Sequence, residues 1–462
     1  MVRPVAHVSS IRPAKGLADA PIPLSSAQLR IWFSEQLHPG NGAYVIAMGY
    51  RLSGPLDFDA MTRSFSELVT RHEPLRTTFG VSNDGIPFQA IAPATHALPS
   101  VVDLRELSEE KREIPLRISE EMRRPTDLNL EPAFRASVYR LSLSENILLL
   151  LIHHIACDGW SVPVLLRELG LLYEGEVSGE RATLPALPIR YADFALWQSD
   201  WLKSHEAARQ LAYWQHQLSG GAVLALPLDR PRPSVQTFHA ARTELALPNG
   251  LSRALIELGN REHCTLFMVI LAALAVLLHQ YSGQTDIMIG TPVANRNRPE
   301  LEGLVGVFIN TLVLRIDLSH DVVWRQLLRH VFDVCLDAYD HQDFPFEKLV
   351  GHLRLERDVS RAPLFQVLIT FRDSPVQELV LPGLSVVPMP LDADTTKYDL
   401  RIVVDALETV TLTAEYNIEL FEASTAERML EHLRRLLEDM AADVSHSLSG
   451  VPRPKGCDAG SI

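Results

Sequence analysis

Six consecutive apolar residues, 147–152 (ILLLLI), run straight into two histidines, and this junction restricts the fold more than any other stretch of the 462-residue chain. A strand with one wet face alternates polar and apolar side chains, whereas an unbroken apolar run of this length belongs to a strand covered on both faces. A short loop (155–160) then leads into SVPVLLRELGLLY. Ser161 is placed there to cap a helix, and Pro163 falls in the first turn, where its missing N–H costs little. Strand, loop and helix in this order make an α/β unit with polar residues at the carboxyl end of a strand, where open α/β sheets place ligands.

The rest of the chain mixes helices and strands. After a flexible arm over residues 1–23, the segment 25–37 (SSAQLRIWFSEQL) reads as a helix packed through Ile31, Trp32 and Leu37. YVIAMGYRLSG (44–54) reads as a strand closed by Gly54-Pro55. Asp59 precedes a helix with Met61, Phe65, Leu68 and Val69 at the spacing of a buried stripe, and Pro74 ends it. Two proline-rich stretches, 182–188 (ATLPALP) and 226–234 (LPLDRPRPS), bracket an aromatic helix holding Tyr191, Trp197, Trp201 and Trp214, and the first stretch reads as a linker between halves. The second half repeats the mixture, with a buried helix (266–278) and a charged last helix over 424–443 that opens on a Ser424/Glu427 capping box.

Single cores rarely exceed ~250–300 residues, so two parts are expected. They are placed at 24–185 and 186–445, with a tail over 446–462. A net charge of -14 repels phosphate backbones and anionic lipid, which argues against nucleic acid and membrane partners. Residues 1–20 lack the apolar centre of a signal peptide, and the longest apolar run falls short of the ~20 residues that span a bilayer. A soluble, cytoplasmic protein is expected. Its cysteines (Cys157, Cys264, Cys335, Cys457) form no CxxC pair, so neither a zinc site nor a disulfide framework is indicated.

His153 and His154 end the strand, where successive side chains point to opposite faces. One is expected to face the chemistry while the other packs within the fold, and the same divergence argues against a shared metal ion. An imidazole takes a proton from a nucleophile near neutral pH, or stabilises charge as the nucleophile attacks. Asp158 suits an organising role, since a carboxylate pairs well with a buried arginine, and Gly159 permits a tight turn or close ligand approach. Two hydrogen-bonded core histidines beside a helix start have the same local sequence. Residue chemistry alone leaves both readings open.

LIHHIACDGWS (151–161) resembles the HHxxxDG motif of nonribosomal peptide synthetase condensation domains. Six further segments resemble that family's motifs in order: SSAQLRIW (25–32), RHEPLRTTF (71–79), YADFALW (191–197), GVFINTLVLR (306–315), HQDFPFE (341–347) and RDVSRAPLF (357–365). HHxxxDG is shared with related acyltransferases; the ordered series is far more specific. Taken singly, YADFALW reads as core packing and RHEPLRTTF as structural.

The resemblance spans about residues 24–443 and implies an α/β fold of two chloramphenicol-acetyltransferase-like subdomains, a V-shaped pseudo-dimer with a central tunnel. It implies catalysis at His154, with Gly159 near the reacting carbonyl, where its backbone N–H is placed to bind an oxyanion. His153, and Asp158 in a salt bridge to Arg296, would be structural parts of the active site. Substrates would arrive as thioesters on phosphopantetheine arms of donor and acceptor carrier proteins, with no cofactor or metal bound by the chain itself and a monomer as its resting form. The implied reaction is attack of an acceptor amine on a carrier-bound acyl thioester to form an amide.

Within the family, HHIACDGWS, YADFALW and RDVSRAPLF are most similar to domains joining an L-configured donor to an L-acceptor. Heterocyclisation domains carry aspartates in place of the histidines. Recruitment domains usually lose the second histidine or the glycine, and both are kept here. Cys157 falls at a variable motif position and is expected to be incidental. With no adenylation or carrier segment beside the motif series, the chain is expected to be either one unit excised from a larger synthetase or, as its start and tail favour, a free-standing enzyme. Its acceptor would then be a soluble amine or alcohol, and its product an amide or an ester. A docking platform for carriers or tailoring enzymes, without turnover, is the remaining reading.

Overall fold

The computed structural model describes residues 10–14, 21–37, 39–40, 42–93, 99–353, 358–373, 378–391, 395–407 and 409–450. They pack into two compact units that are interleaved along the chain. Met1–Glu206, Ala294–Ile309 and Val376–Ala393 form the first, and Ala207–Val293, Asn310–Pro375 and Asp394–Ile462 the second. The fold is mixed α/β, with a sheet in each unit.

In the first unit the apolar run becomes the strand Glu145–His153, central in a five-stranded sheet. It pairs antiparallel with Val45–Ser53 on one side and Phe134–Arg140 on the other, with Val45 opposite His153. Ser385–Met389 and Ser100–Asp103 form the edges. Leu148, Leu150 and Ile152 join a core with the helices Phe58–Arg71 and Ser161–Ser178, while Ile147, Leu149 and Leu151 join another with Leu104, Ile118 and Tyr139. Burial on both faces is why the run does not alternate. Each such side chain contributes roughly 1.5–3 kcal/mol when fully buried, so the strand end that carries the histidines is held firmly.

The second unit is built on a six-stranded mixed sheet, ordered Asn310–Asp317, Asp286–Val293, Val367–Arg372, Leu400–Ala406, Val410–Asn417 and Ala240–Ala246. The long apolar run is the helix Leu266–Ser282, buried along nearly its whole length. It is capped by the Thr265 side chain at its start and by left-handed Gly283 at its end. Among the described residues no single helix is long and apolar enough to cross a membrane. This helix and Asn249–Glu262 pass that test only together, across a 102° bend.

Several local expectations are corrected. Asp59 does not precede the helix Phe58–Arg71 but lies in its first turn; Asp57 precedes it and caps it, its Oδ1 accepting from the Ala60 N–H at 2.9 Å. That helix has already ended when Pro74 enters the short 3₁₀ turn Glu73–Arg76. The aromatic segment is two helices, Tyr191–Trp201 and His205–Leu218. The last helix begins at Ala423, so Ser424 lies inside its first turn and caps nothing. The 182–188 stretch lies within the first unit: Ala182 and Leu184 pack on its core, and Arg71 donates to the Pro185 carbonyl. A single division near 185 therefore gives way to interleaving, because Ser385–Met389 pairs with Val45–Ser53 and Ala294–Ile309 packs with the first unit.

The N-terminal arm is anchored where it is described. Ile11 is buried, with its N–H on Glu300 Oε1 at 3.1 Å; the Ala14 N–H meets Asp193 Oδ1 at 2.8 Å, and Ile22–Pro23 pairs with the strand Pro87–Ile91. Residues 1–9 and 15–20 of the arm, and 451–462 of the tail with Cys457, lie outside the described residues.

Candidate active site

The end of the central strand sets both histidines, and backbone bonds hold it: the His153 N–H donates to the Ala133 carbonyl and the His154 N–H to that of Tyr44, each at 2.7 Å. The side chains then diverge. His153 is buried, its Nδ1 accepting from the Ile155 N–H at 3.2 Å, so Nε2 carries the proton and points it at Glu35 Oε1, 3.3 Å away. His154 is only partly buried, and its Nδ1 lies 3.0 Å from the Cys157 carbonyl oxygen. A carbonyl can only accept, so Nδ1 carries the proton and the lone pair of the neutral ring sits on Nε2. Two adjacent imidazoles are thereby fixed in opposite tautomers.

Asp158 is buried at the base of the loop and accepts four hydrogen bonds. Oδ1 takes the Ser161 N–H at 2.9 Å, the Ser161 hydroxyl at 2.7 Å and Arg296 at 3.0 Å; Oδ2 takes the Phe308 N–H at 2.9 Å. Arg296 reaches it from the segment Ala294–Ile309 of the same unit, with both side chains almost fully buried. The guanidinium also donates to the Leu301 and Leu304 carbonyls and to the Ser161 hydroxyl, and lies 4.2 Å over the Phe308 ring. A buried charge pair is tolerable only with many such bonds, and here the Arg296 Nε alone of the guanidinium nitrogens is left without a partner.

Ser161 therefore does more than start a helix. Its hydroxyl stands between Asp158, Arg296 and the Gly306 backbone, whose N–H it accepts at 3.1 Å. The expected cap is reversed: the Asp158 carboxylate receives the Ser161 N–H. Sequence reasoning missed this hub and the Glu35 partner of His153. A serine before a helix reads as a cap, and Glu35 is remote in sequence.

Gly159 is exposed, its φ is not left-handed, and a Cβ added to it would meet nothing within 4 Å. No tight turn requires this glycine; the space over it is open. Cys157, two residues earlier, is fully buried, and burial, aided by the Asp158 charge, pushes its thiol well up, which opposes any role as a nucleophile. Among the described residues no group of three His, Cys, Asp or Glu side chains could hold a metal ion.

The family model described as the condensation domain matches residues 19–453. The chain belongs to the condensation-domain family, whose members occur in nonribosomal peptide synthetases. It is 43% identical over 440 residues to one of the linear gramicidin synthase polypeptides of Brevibacillus parabrevis, covering 94% of this chain and 9% of that protein. It is 40% identical over 441 residues to phosphinothricin tripeptide synthetase PhsC of Streptomyces viridochromogenes, covering 94% of this chain and 40% of the relative. The chain thus spans a small part of the synthetases it matches. Among solved structures, the X-domain from teicoplanin biosynthesis superposes with a TM-score of 0.88 at 27% identity, covering 96% of this chain and 100% of that one. The SgcC5 protein of Streptomyces globisporus gives 0.74 at 25%, covering 91% and 98%.

Proposed function

We propose that this chain catalyses attack of an acceptor amine on an acyl thioester carried by a phosphopantetheine arm, forming an amide and releasing the carrier thiol. The observation that carries this reading is the bond from His154 Nδ1 to the Cys157 carbonyl, which puts the lone pair of the neutral ring on Nε2, the nitrogen that takes a proton from the acceptor. The amine nitrogen forms the new C–N bond as the C–S bond breaks. The proton it sheds passes through Nε2 towards the departing sulfur. A thioester is already activated, and holding two reactants together supplies ~7–11 kcal/mol of the barrier reduction. Asp158, with four donors on its oxygens, organises the loop instead of acting as a second base. Gly159 is assigned to the reacting carbonyl, with its N–H towards the developing oxyanion.

Family members work with carrier-protein domains, so donor and acceptor carriers are the proposed partners, with L-configured groups on both. The test is a single-turnover assay with an acyl-loaded donor carrier and an aminoacyl-loaded acceptor carrier. Amide from the wild type and none from His154→Ala is the expected pattern; undiminished amide from His154→Ala would overturn the reading.

Two observations favour other readings, and the same assay separates them. The SgcC5 structure is a complex with a free diol, which favours transfer to an untethered amine or alcohol. Product from a soluble acceptor in place of the acceptor carrier selects that reading. A teicoplanin X-domain structure is a complex with OxyB, which favours recruitment of a tailoring enzyme. Specific binding of carrier or tailoring enzyme with no product from any substrate pair selects recruitment.

A further inference from the structure

The aromatic helix Tyr191–Trp201 reads as core packing, yet its first residue makes polar contacts that packing does not need. Tyr191 is buried, and its hydroxyl donates to the Val307 carbonyl at 2.7 Å. That bond uses its only proton, so the buried Ser25 hydroxyl, also 2.7 Å away, is the donor in their contact. Val307 lies between the two residues that tie this segment to the histidine loop. The Gly306 N–H donates to the Ser161 hydroxyl, and the Phe308 N–H bonds Asp158 Oδ2. Three successive residues are thus pinned, two by the loop and the middle one by Tyr191. The ring is also pressed against the backbone there: a Cβ on Gly306 would lie 2.1 Å from Tyr191 Cδ2.

We propose that Tyr191 is a positioning residue for the histidine loop. Its hydroxyl and ring hold residues 306–308 in the one placement that lets Phe308 and Gly306 grip Asp158 and Ser161. Asp158 begins one residue after the carbonyl that orients His154, so slack at Val307 passes along three bonds to the imidazole. Ser25 sets the direction of the relay, because the proton it gives Tyr191 leaves the phenol to point its own at Val307. The kinetic consequence rests on the acyl transfer proposed above; the structural consequence does not.

Tyr191→Phe removes the hydroxyl and keeps the ring. The control is Tyr173→Phe, which deletes another hydroxyl of the same unit, one that accepts the Asp57 N–H at 3.1 Å away from the histidine loop. The structural readout is maleimide labelling of Cys157 under native conditions, followed peptide by peptide, because this buried thiol sits in the loop itself. Leaving the Val307 carbonyl unpaired should raise the Cys157 labelling rate about tenfold in Tyr191→Phe, while Tyr173→Phe labels at the wild-type rate. In the carrier assay, kcat should fall about 10- to 100-fold in Tyr191→Phe with KM unchanged. Labelling at the wild-type rate would overturn the proposal, and so would an equal rise in the control or a rise without loss of kcat. Should no substrate pair turn over, acyl transfer is in doubt and the labelling still decides the role of Tyr191. Ser25→Ala, which removes the donor to the phenol, replaces Tyr191→Phe if that variant does not fold.

Discussion

Arg296 and Asp158 stand 138 residues apart in the chain and meet at 3.0 Å, each side chain at most 2% exposed. Both charges are buried, and each is bonded by a neighbour from the other's segment: Arg296 by the Ser161 hydroxyl, Asp158 by the Phe308 N–H. Breaking such a pair costs more than the pair gains, because the survivor is left charged and buried. Arg296→Ala should therefore destabilise the protein by roughly 3–5 kcal/mol, read from the denaturant midpoint of the transition that includes the first unit. A loss below about 1 kcal/mol would show that Asp158 is satisfied without it.

The two histidines should separate function from stability. His154→Ala removes a partly exposed ring with its proton-accepting nitrogen, so turnover should drop by about 10²–10⁴ with little change in melting temperature. His153→Ala strips a buried ring from Glu35 and the Ile155 N–H and should cost about 1–3 kcal/mol of stability. Equal effects of both variants on melting temperature would contradict the assigned roles.

Two glycines give opposite expectations. Alanine at Gly306 drives its methyl into the Tyr191 ring, so Gly306→Ala should melt well below the wild type, as overpacked sites that lose roughly 1–3 kcal/mol do. Alanine at Gly159 meets open space and should leave the melting temperature unchanged. Turnover of Gly159→Ala should nevertheless fall, because the proposed reaction puts the acyl carbonyl in that space. Full activity in that variant would move the carbonyl elsewhere.

Glu168 makes a pH-dependent contribution. Burial alone would raise its carboxyl, but hydrogen bonds from His72 at 2.7 Å and Arg71 at 2.8 Å hold it below the usual carboxylate range. A depressed carboxyl stabilises the fold above its ordinary value near 4.5, and that contribution is lost as pH falls through the lower, folded value. Glu168→Gln should be less stable than the wild type at pH 7, with the gap narrowing as pH is lowered below about 4.5. Urea unfolding at a series of pH values measures it; a gap constant with pH would exclude the linkage.

The central strand was legible because its six apolar residues admit only two-sided burial, and the divergence of the histidines followed from the pleat. Family resemblance supplied Arg296; no local pattern links it to Asp158. Ser161 was misread because one hydroxyl serves equally as helix cap and as loop hub, and only the partners decide. Asp57 and Asp59 both precede an apolar stripe, and backbone geometry alone selects Asp57. The interleaving of the units was hidden for a topological reason: Ser385–Met389 is an ordinary short strand until its partner, Val45–Ser53, is known.

The crossings of the chain between its units bear on recombination. A chimera joined anywhere between residues 162 and 293 would inherit the carboxylate from one parent and the guanidinium, with its backbone cradle, from the other. Exchange of the first half alone is therefore a graft across a matched pair, and parents that differ around 294–309 should give insoluble or inert hybrids. Moving that short segment together with the first half keeps the match.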